Sequence, residues 1–374
     1  MTVSLSPNVI TAISAVFGAL VGSFLNVCIY RLPLGLSVRT PARSYCPHCR
    51  KTIPWWENLP ILSWLLLRGR CSTCKSPIHI RYLLVEVLTA LLFAAAAIVI
   101  PYHSPLLLLP YFTLLGILIV ATFVDLEHMI IPDEITWGGA VAGLIFSLLL
   151  PELHSAQSNT QAFLSSLLGA GFGFGSLWAI ATLGRLAFGR KRMTFATPTP
   201  VRWIRNGDEA ELSVGEDLSP WGDFFFRGTE KIRMGVLSGD IDGKPVMKSE
   251  ALWTLNHIQF SLSTQSSAQS HDLNQIDKIN LQIEWLVFPR EAMGFGDVKF
   301  LAAIGSFLGW RAALFTIVAA SCLGALYGLF TLLIGKRQWS AIPFGPYLAT
   351  AALIWIATGP NLVAAYWALV SVAH

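Results

Sequence analysis

Charged residues are scarce in this sequence. Asp, Glu, Lys and Arg make up 13% of its 374 residues, whereas about 25% is usual in soluble domains. Hydrophobic residues reach 54%, and the mean hydropathy is +0.58. This balance excludes an ordinary soluble globular protein and predicts a multi-pass membrane protein.

Long apolar windows predict about eight transmembrane helices, because about 20 apolar residues cross the hydrocarbon of a bilayer. The expected fold class is an all-α polytopic membrane protein that also carries a zinc-ribbon-like loop and a β-rich insert. The break between the sixth and seventh spans depends on the sequence from Gly309 to Arg311. The predicted spans cover residues 8–30, 82–101, 105–124, 134–150, 161–188, 297–310, 311–335 and 343–370.

Acidic residues are almost absent from residues 31–81, where Glu57 is the lone acid against nine Lys and Arg. The positive-inside rule therefore places this loop in the cytoplasm. Threading the spans from there puts 125–133, 189–296 and 336–342 on the same side. The first span lacks a preceding basic stretch, so we expect it to be retained rather than cleaved.

Acids do occur at two cytoplasmic edges of the predicted spans: Asp125 and Asp133 after the third, and Asp297 at the start of the sixth. Acids next to hydrocarbon are functional candidates. Two adjacent carboxylates share a proton, so that one can accept a proton from water while the other polarises a carbonyl. The flanking Gly294 and Gly296 would let the backbone approach a bound peptide.

Two other interpretations of these acids stay open at the level of sequence. Asp297 fits a role as a helix N-terminal cap, which the helix dipole favours. A membrane adaptor or transporter would also carry such acids, although a transporter usually places them near the bilayer midplane rather than at one edge.

The same cytoplasmic loop holds two C-x-x-C pairs, at Cys46 and Cys49 and at Cys71 and Cys74. Their spacing approaches that of zinc ribbons, and four thiolates favour a closed, structural zinc site in a reducing compartment. A redox pair is the alternative.

Residues 189–290 interrupt the apolar pattern. Alternating runs at 201–205, 230–236 and 279–285, with N-G-D and D-G turn signals, predict an antiparallel β module, whereas 261–272 reads as a flexible loop. A docking role and a passive insertion remain alternatives. The run of glycines at 169–175 resembles a dinucleotide fingerprint but lies within a span, which favours close packing of helices.

Several motifs together make the chain resemble the type IV prepilin peptidase family. They are G-S-F-L-N-V-C-I-Y-R-L-P (22–33), the paired C-x-x-C knuckles, N-L-P-I-L-S-W (58–64), R-G-R-C (68–71), R-Y-L-L-V-E (81–86), D-x-E-x-x-x-I-P-D (125–133), G-F-G-D-V-K (294–299) and P-F-G-P (343–346). One departure is the insert, because in this family the G-x-G-D motif follows the preceding span after a short loop.

The resemblance implies a bacterial inner-membrane aspartic endopeptidase with an N-methyltransferase activity. Its catalytic pair falls on Asp125 and Asp297, with Asp133 in a supporting role. The implied substrates are prepilins or pseudopilins cut after a glycine, with S-adenosylmethionine as the methyl donor and membrane lipid, but no nucleic acid, as a partner. A related intramembrane protease acting on signal-peptide remnants would lack the four cysteines.

The expected segments follow from these motifs. They are the first transmembrane helix at 1–30, the cytoplasmic zinc loop at 31–81, spans two to five with the first catalytic Asp at 82–188, the β-rich insert at 189–290, and the G-x-G-D motif with the last three spans at 291–374.

Overall fold

A computed structural model gives the fold of the chain. It describes residues 6–41, 43–100, 104–188, 190–206, 209–215, 217–221, 231–254, 256–261, 269–289, 293–334 and 343–372. The chain forms two compact units, one of residues 1–178 with 294–374 and the other of residues 179–293. The helices are α1 (Pro7–Arg31), α2 (Leu62–Leu66), α3 (Arg81–Val99), α4 (Leu108–His128), α5 (Asp133–Leu149), α6 (Asn159–Phe188), α7 (Phe295–Leu333) and α8 (Gly345–Val372).

Within the described ranges, five helices are long and apolar enough to cross a membrane: Pro7–Leu34, Arg81–Val99, Pro105–His128, Asn159–Leu186 and Phe295–Leu333. These helices make the chain a membrane protein, but they do not establish a count of eight spans. The predicted fourth span corresponds to α5, which has only 17 residues. The predicted eighth corresponds to α8.

The sixth and seventh predicted spans fall in one element, α7, whose helical geometry is interrupted at Gly309. Gly309 has φ 81° and ψ 172°, a conformation open to glycine but not to other residues. Near this break, the Ser306 carbonyl accepts a hydrogen bond from Ser166 Oγ at 2.6 Å, and His154 Nε2 lies 3.2 Å from the same oxygen. The interruption predicted at Gly309 is therefore present.

Close backbone contact joins helices in the membrane unit. A Cβ on Gly22 of α1 would lie 2.8 Å from Glu86 Cα of α3. A Cβ on Gly169 of α6 would lie 2.1 Å from the Gly305 carbonyl of α7, whereas Gly171 faces open space. The glycine run therefore packs helices together, as the sequence predicted, because small residues let membrane helices approach closely.

The second unit is a β-sheet, as the predicted β-rich insert required, so the all-α description applies only to the apolar helices. Nine antiparallel strands pair in the order β3-β2-β1-β9-β4-β6-β7-β8, with β5 beside β4. They are β1 (Arg190–Asn206), β2 (Glu209–Val214), β3 (Asp217–Pro220), β4 (Ile232–Ile241), β5 (Lys244–Val246), β6 (Ser249–Trp253), β7 (His257–Ser261), β8 (Gln269–Asp272) and β9 (Lys278–Pro289).

Local sequence explains much of this sheet. The D-G signal forms the turn between β4 and β5, where Asp242 and Gly243 both have positive φ, as tight hairpins require. The predicted loop at 261–272 is wrong in part, because Gln269–Asp272 pairs with β7 as β8. Residues 262–268 lie outside the described residues.

The sheet curls around an aromatic core. Trp221, just after β3, contacts Trp203 of β1 with ring centroids 6.4 Å apart and Trp253 of β6 with centroids 5.1 Å apart. Because β6 lies five positions from β3 in the sheet order, the contact between Trp221 and Trp253 requires strong curvature. At the base of the sheet Arg190 pairs with Pro289, so the two ends of the insert lie side by side.

Candidate active site

Asp125 lies in the last turn of α4, and 5% of it is exposed. Met129, in the left-handed conformation at φ 56°, closes the helix by donating from its backbone N–H to the Asp125 carbonyl at 3.0 Å. Pro132 then separates α4 from α5, because proline disfavours helical geometry in the residue before it. Asp125 is therefore helical and Asp133 lies beyond the break, as predicted.

Asp297 is the third residue of α7, and 8% of it is exposed. The N-cap position of this helix is Gly294, which has no side chain to cap it. Its Oδ1 is buried and has no hydrogen-bond partner among the residues that the structure describes. A buried carboxylate oxygen without a partner is costly, so a simple capping role does not account for Asp297.

The structure brings the two predicted acids together, although 172 positions separate Asp125 from Asp297 in sequence. Asp297 lies within electrostatic range of Asp125. Ile131 lies against a residue adjoining each acid. A Cβ on Gly296, which precedes Asp297, would lie 3.3 Å from Ile131 Cβ, and a Cβ on Gly345, which contacts Asp125, would lie 3.2 Å from Ile131 Cδ1. Both acids are therefore buried beside the same side chain, that of Ile131.

A third segment of chain holds Asp125 in place. The Gly345 backbone N–H, at the start of α8, donates to Asp125 Oδ2 at 2.9 Å. This N–H is one of the unpaired donors at a helix N-terminus, where the helix dipole also favours negative charge. The sequence analysis used P-F-G-P only as a family motif and missed this role. The signal that could have revealed this role is a glycine at the predicted start of a span.

Gly294 and Gly296 were predicted to let the backbone approach a peptide, and in the structure they admit close contacts within the chain. A Cβ on Gly296 would lie 3.4 Å from the Ile131 backbone nitrogen, and one on Gly294 would lie 3.3 Å from Asp297 Oδ2. Gly296 therefore allows the start of α7 to pack against the segment between α4 and α5, whereas Gly294 leaves room for the Asp297 carboxyl group. Their role toward a substrate stays a prediction.

Asp133 lies outside the pair and forms an ion pair with Lys299 of α7. Its side chain is 64% exposed, whereas that of Lys299 is only 11% exposed and its Nζ lies 5.1 Å from the centre of the Phe295 ring. The pair links the first turn of α5 to the first turns of α7. Beside it, Glu127 forms a second ion pair with Arg81, which ties α4 to the start of α3.

The four predicted metal ligands converge in the loop between α1 and α3. The Sγ atoms of Cys46, Cys49, Cys71 and Cys74 all lie within 4.8 Å of one another, and those of Cys46 and Cys74 are 3.7 Å apart. Four Zn–S bonds of about 2.3 Å place tetrahedral sulfurs roughly 3.8 Å apart. These residues can therefore hold a metal ion, and their thiols and spacing fit zinc.

The two knuckles share one backbone design. The Arg50 N–H donates to the Cys46 carbonyl at 2.8 Å, and the Lys75 N–H donates to the Cys71 carbonyl at 3.1 Å. Both Arg50 and Lys75 have positive φ. Hydrogen bonds from the backbone of Cys74 and Thr73 lower the pKa of the Cys71 thiol to about 7, whereas burial and the neighbouring thiols raise the pKa of Cys74 to about 11, so Cys71 is the first of the two to form the thiolate that metals bind.

Comparisons with known proteins agree with this arrangement. Residues 16–100 match the bacterial peptidase A24 N-terminal domain, and residues 112–192 and 279–329 match the type IV leader peptidase family. The second match is interrupted between residues 192 and 279, which include most of the sheet. No solved structure matches the chain.

Several curated relatives carry the name prepilin leader peptidase/N-methyltransferase. One from Aeromonas hydrophila is 30% identical over 367 residues, covering 91% of this chain and 88% of its own length. One from Myxococcus xanthus is 40% identical over 197 residues, covering 52% of this chain and 56% of its own length. One from Legionella pneumophila is 28% identical and covers 94% and 93%. The chain belongs to the type IV leader peptidase family.

Proposed function

We propose that this protein is a membrane aspartic endopeptidase that removes the leader of type IV prepilins or pseudopilins after a glycine. It then methylates the new N-terminus. The observation that carries the proposal is the buried meeting of Asp125 and Asp297, with Asp297 Oδ1 unpartnered in the described structure and Asp125 Oδ2 held by Gly345. No observation favours an adaptor or a transporter.

We assign different tasks to the two carboxyl groups of the pair. The ionised carboxylate of the pair takes a proton from water, and the resulting hydroxide attacks the scissile carbonyl. The protonated carboxyl donates to the carbonyl oxygen. When the tetrahedral intermediate collapses, the C–N bond breaks and the leaving amine takes up a proton. Because Oδ1 of Asp297 has no partner in the described part of the chain, it is free to bond the water or the carbonyl.

Cleavage exposes an α-amine, which must lose its proton before it can attack a methyl group. We assign S-adenosylmethionine as the methyl donor and second substrate, on the strength of the relatives' name. The amine lone pair forms the new N–C bond as the S–CH3 bond breaks, and one proton leaves the nitrogen.

The other predicted residues take supporting roles. We assign a structural zinc ion to the four cysteines, where it would cross-link the two knuckles without taking part in catalysis. Asp133 would hold α5 against α7 through Lys299, and Gly294 and Gly296 would keep the entry to the pair narrow and close to the backbone. We assign the protein to the bacterial inner membrane on its family, and the charge distribution favours a pair that faces the cytoplasm.

The experiment is cleavage of a co-expressed prepilin, followed by the shift of its mass on a gel and by mass spectrometry of its N-terminus. We expect Asp125→Asn and Asp297→Asn each to lower cleavage by about 10²–10⁴-fold, the usual contribution of a positioned acid or base. Glu134→Gln changes an exposed acid on α5 and serves as the matched control. Normal cleavage by either Asp variant would refute the peptidase assignment, whereas cleavage without methylation in the unaltered protein would refute the methyltransferase half alone.

A further inference from the structure

Five large apolar side chains in the cysteine loop are exposed, although they lie outside the membrane-spanning helices. Trp55 and Trp56 are 74% and 58% exposed, and Leu62, Leu65 and Leu66 are 57%, 54% and 82% exposed. We call these five residues the apolar ridge. A continuous apolar patch outside a protein core marks a binding surface rather than ordinary surface.

The ridge is an ordered surface. Leu62, Leu65 and Leu66 follow the spacing i, i+3, i+4, so they share one face of α2. Ser63, on another side of α2, is only 8% exposed, and its Oγ donates to the Trp56 carbonyl at 3.2 Å. This bond joins α2 to the short 3-10 helix Trp55–Asn58, which carries the two tryptophans.

A hydrogen bond ties the segment that carries the apolar ridge to α3. The Ile61 backbone N–H, directly before α2, donates to Glu86 Oε2 at 2.7 Å. Glu86 follows the start of α3 at Arg81 by five residues, which is roughly 7.5 Å along a helix. Ile61 therefore lies beside the first two turns of α3.

The backbone at Ile61 indicates that this placement is specific. Ile61 has φ 63° and ψ −54°, a conformation that is unfavourable for a β-branched residue. Glu86 is 7% exposed, so its carboxylate is kept inside the helix pair by partners such as this N–H. Interfacial helices bury their apolar face about 5–10 Å into the boundary between headgroups and acyl chains, a depth comparable to the distance along α3 from Arg81 to Glu86.

The surroundings of the ridge match a lipid surface in both polarity and charge. On α3, Leu84 and Leu88 are 52% and 38% exposed and continue the apolar surface along the span. Just after α2, Arg68 and Arg70 are exposed. Tryptophan and leucine beside arginine are the composition of helices that lie in the headgroup layer of anionic membranes.

We propose that the apolar ridge lies in the interface of the same membrane that the apolar helices cross, with Arg68 and Arg70 on anionic phospholipid headgroups. The loop then has a membrane contact of its own between α1 and α3. This contact would hold the cysteine cluster at the membrane surface.

Photocrosslinking tests this placement in the full chain. Leu66→p-benzoylphenylalanine is reconstituted into vesicles of phosphatidylethanolamine and phosphatidylglycerol, irradiated, and examined by mass spectrometry for a phospholipid adduct. Leu91→p-benzoylphenylalanine, at a 63% exposed position on α3, is the positive control. Lys244→p-benzoylphenylalanine, in the polar hairpin of β4 and β5, is the negative control. Zinc content checks that each variant keeps its loop intact.

We expect about tenfold more lipid adduct at position 66 than at position 244, the ratio that follows from burying one leucine side chain. Replacing phosphatidylglycerol by phosphatidylcholine should lower the adduct at 66 and leave that at 91 unchanged. An adduct yield at 66 no greater than at 244 would overturn the proposal. So would crosslinking of position 66 to an added prepilin in preference to lipid, because the ridge would then be a substrate surface.

Discussion

Gly345→Ala probes the hydrogen bond that positions Asp125 without changing either acid. The new Cβ would lie 2.7 Å from Asp125 Oδ2 and 3.3 Å from Asp125 Cβ, whereas ordinary contacts of a Cβ lie at 3.4–4 Å. The carboxylate must therefore move by about 0.7 Å, or the start of α8 must move with it. Either shift lengthens the bond of 2.9 Å from the Gly345 N–H.

The size of the effect follows from these distances. A misplacement of about 1 Å in a catalytic group costs about 10²-fold in rate, and hydrogen bonds to charged groups contribute about 1.5–3 kcal/mol. We expect kcat/KM for leader cleavage to fall by about 10–100-fold, equivalent to roughly 1.4–2.7 kcal/mol.

Purified enzyme and a prepilin, followed by the appearance of cleaved pilin on gels over time, measure this change. Gly328→Ala on α7 is the matched control, because a Cβ there meets nothing within 4 Å. Zinc content and thermal unfolding show whether both variants are folded. If Gly345→Ala cleaves as fast as Gly328→Ala, the contact between α8 and Asp125 has no part in catalysis.

Two further predictions concern packing and the metal. Gly169→Ala should lower the free energy of unfolding by about 1–3 kcal/mol through overpacking, because its Cβ would lie 2.1 Å from the Gly305 carbonyl oxygen. Gly171→Ala, whose Cβ meets open space, should unfold like the parent protein. Equal melting temperatures for the two variants would contradict the close contact of α6 and α7. Cys46→Ser removes one of four clustered thiols and should lower zinc content measured by plasma mass spectrometry, whereas Cys322→Ser should not. Unchanged zinc in the first variant would remove the metal assignment.

The predictions that failed or changed have identifiable causes. Residues 261–272 were predicted to form a flexible loop because small polar residues dominate them, yet Gln269–Asp272 pairs with β7. Backbone hydrogen bonds to an existing strand do not need apolar side chains. The all-α label describes the apolar helices only, and the nine-stranded sheet belongs to the β-rich insert that was predicted beside them. The count of eight spans depended on α5, which is short at 17 residues.

The sequence by itself determined the features that depend on neighbouring residues. Low charge and apolar windows established a membrane protein. Pro132 separated Asp125 from Asp133, and the D-G pair made the turn between β4 and β5. The thiol spacing likewise predicted one cysteine cluster, because each knuckle is a local turn.

Only the tertiary structure decided which distant groups meet. The approach of Asp125 to Asp297, the bond from Gly345, and the bond from Ile61 to Glu86 each join segments far apart in sequence. Hydropathy and periodicity report which face of a helix is apolar, but they do not report its neighbour or its height. Those follow from how helices pack, and packing depends on the whole set of side chains and on close backbone approach at glycine.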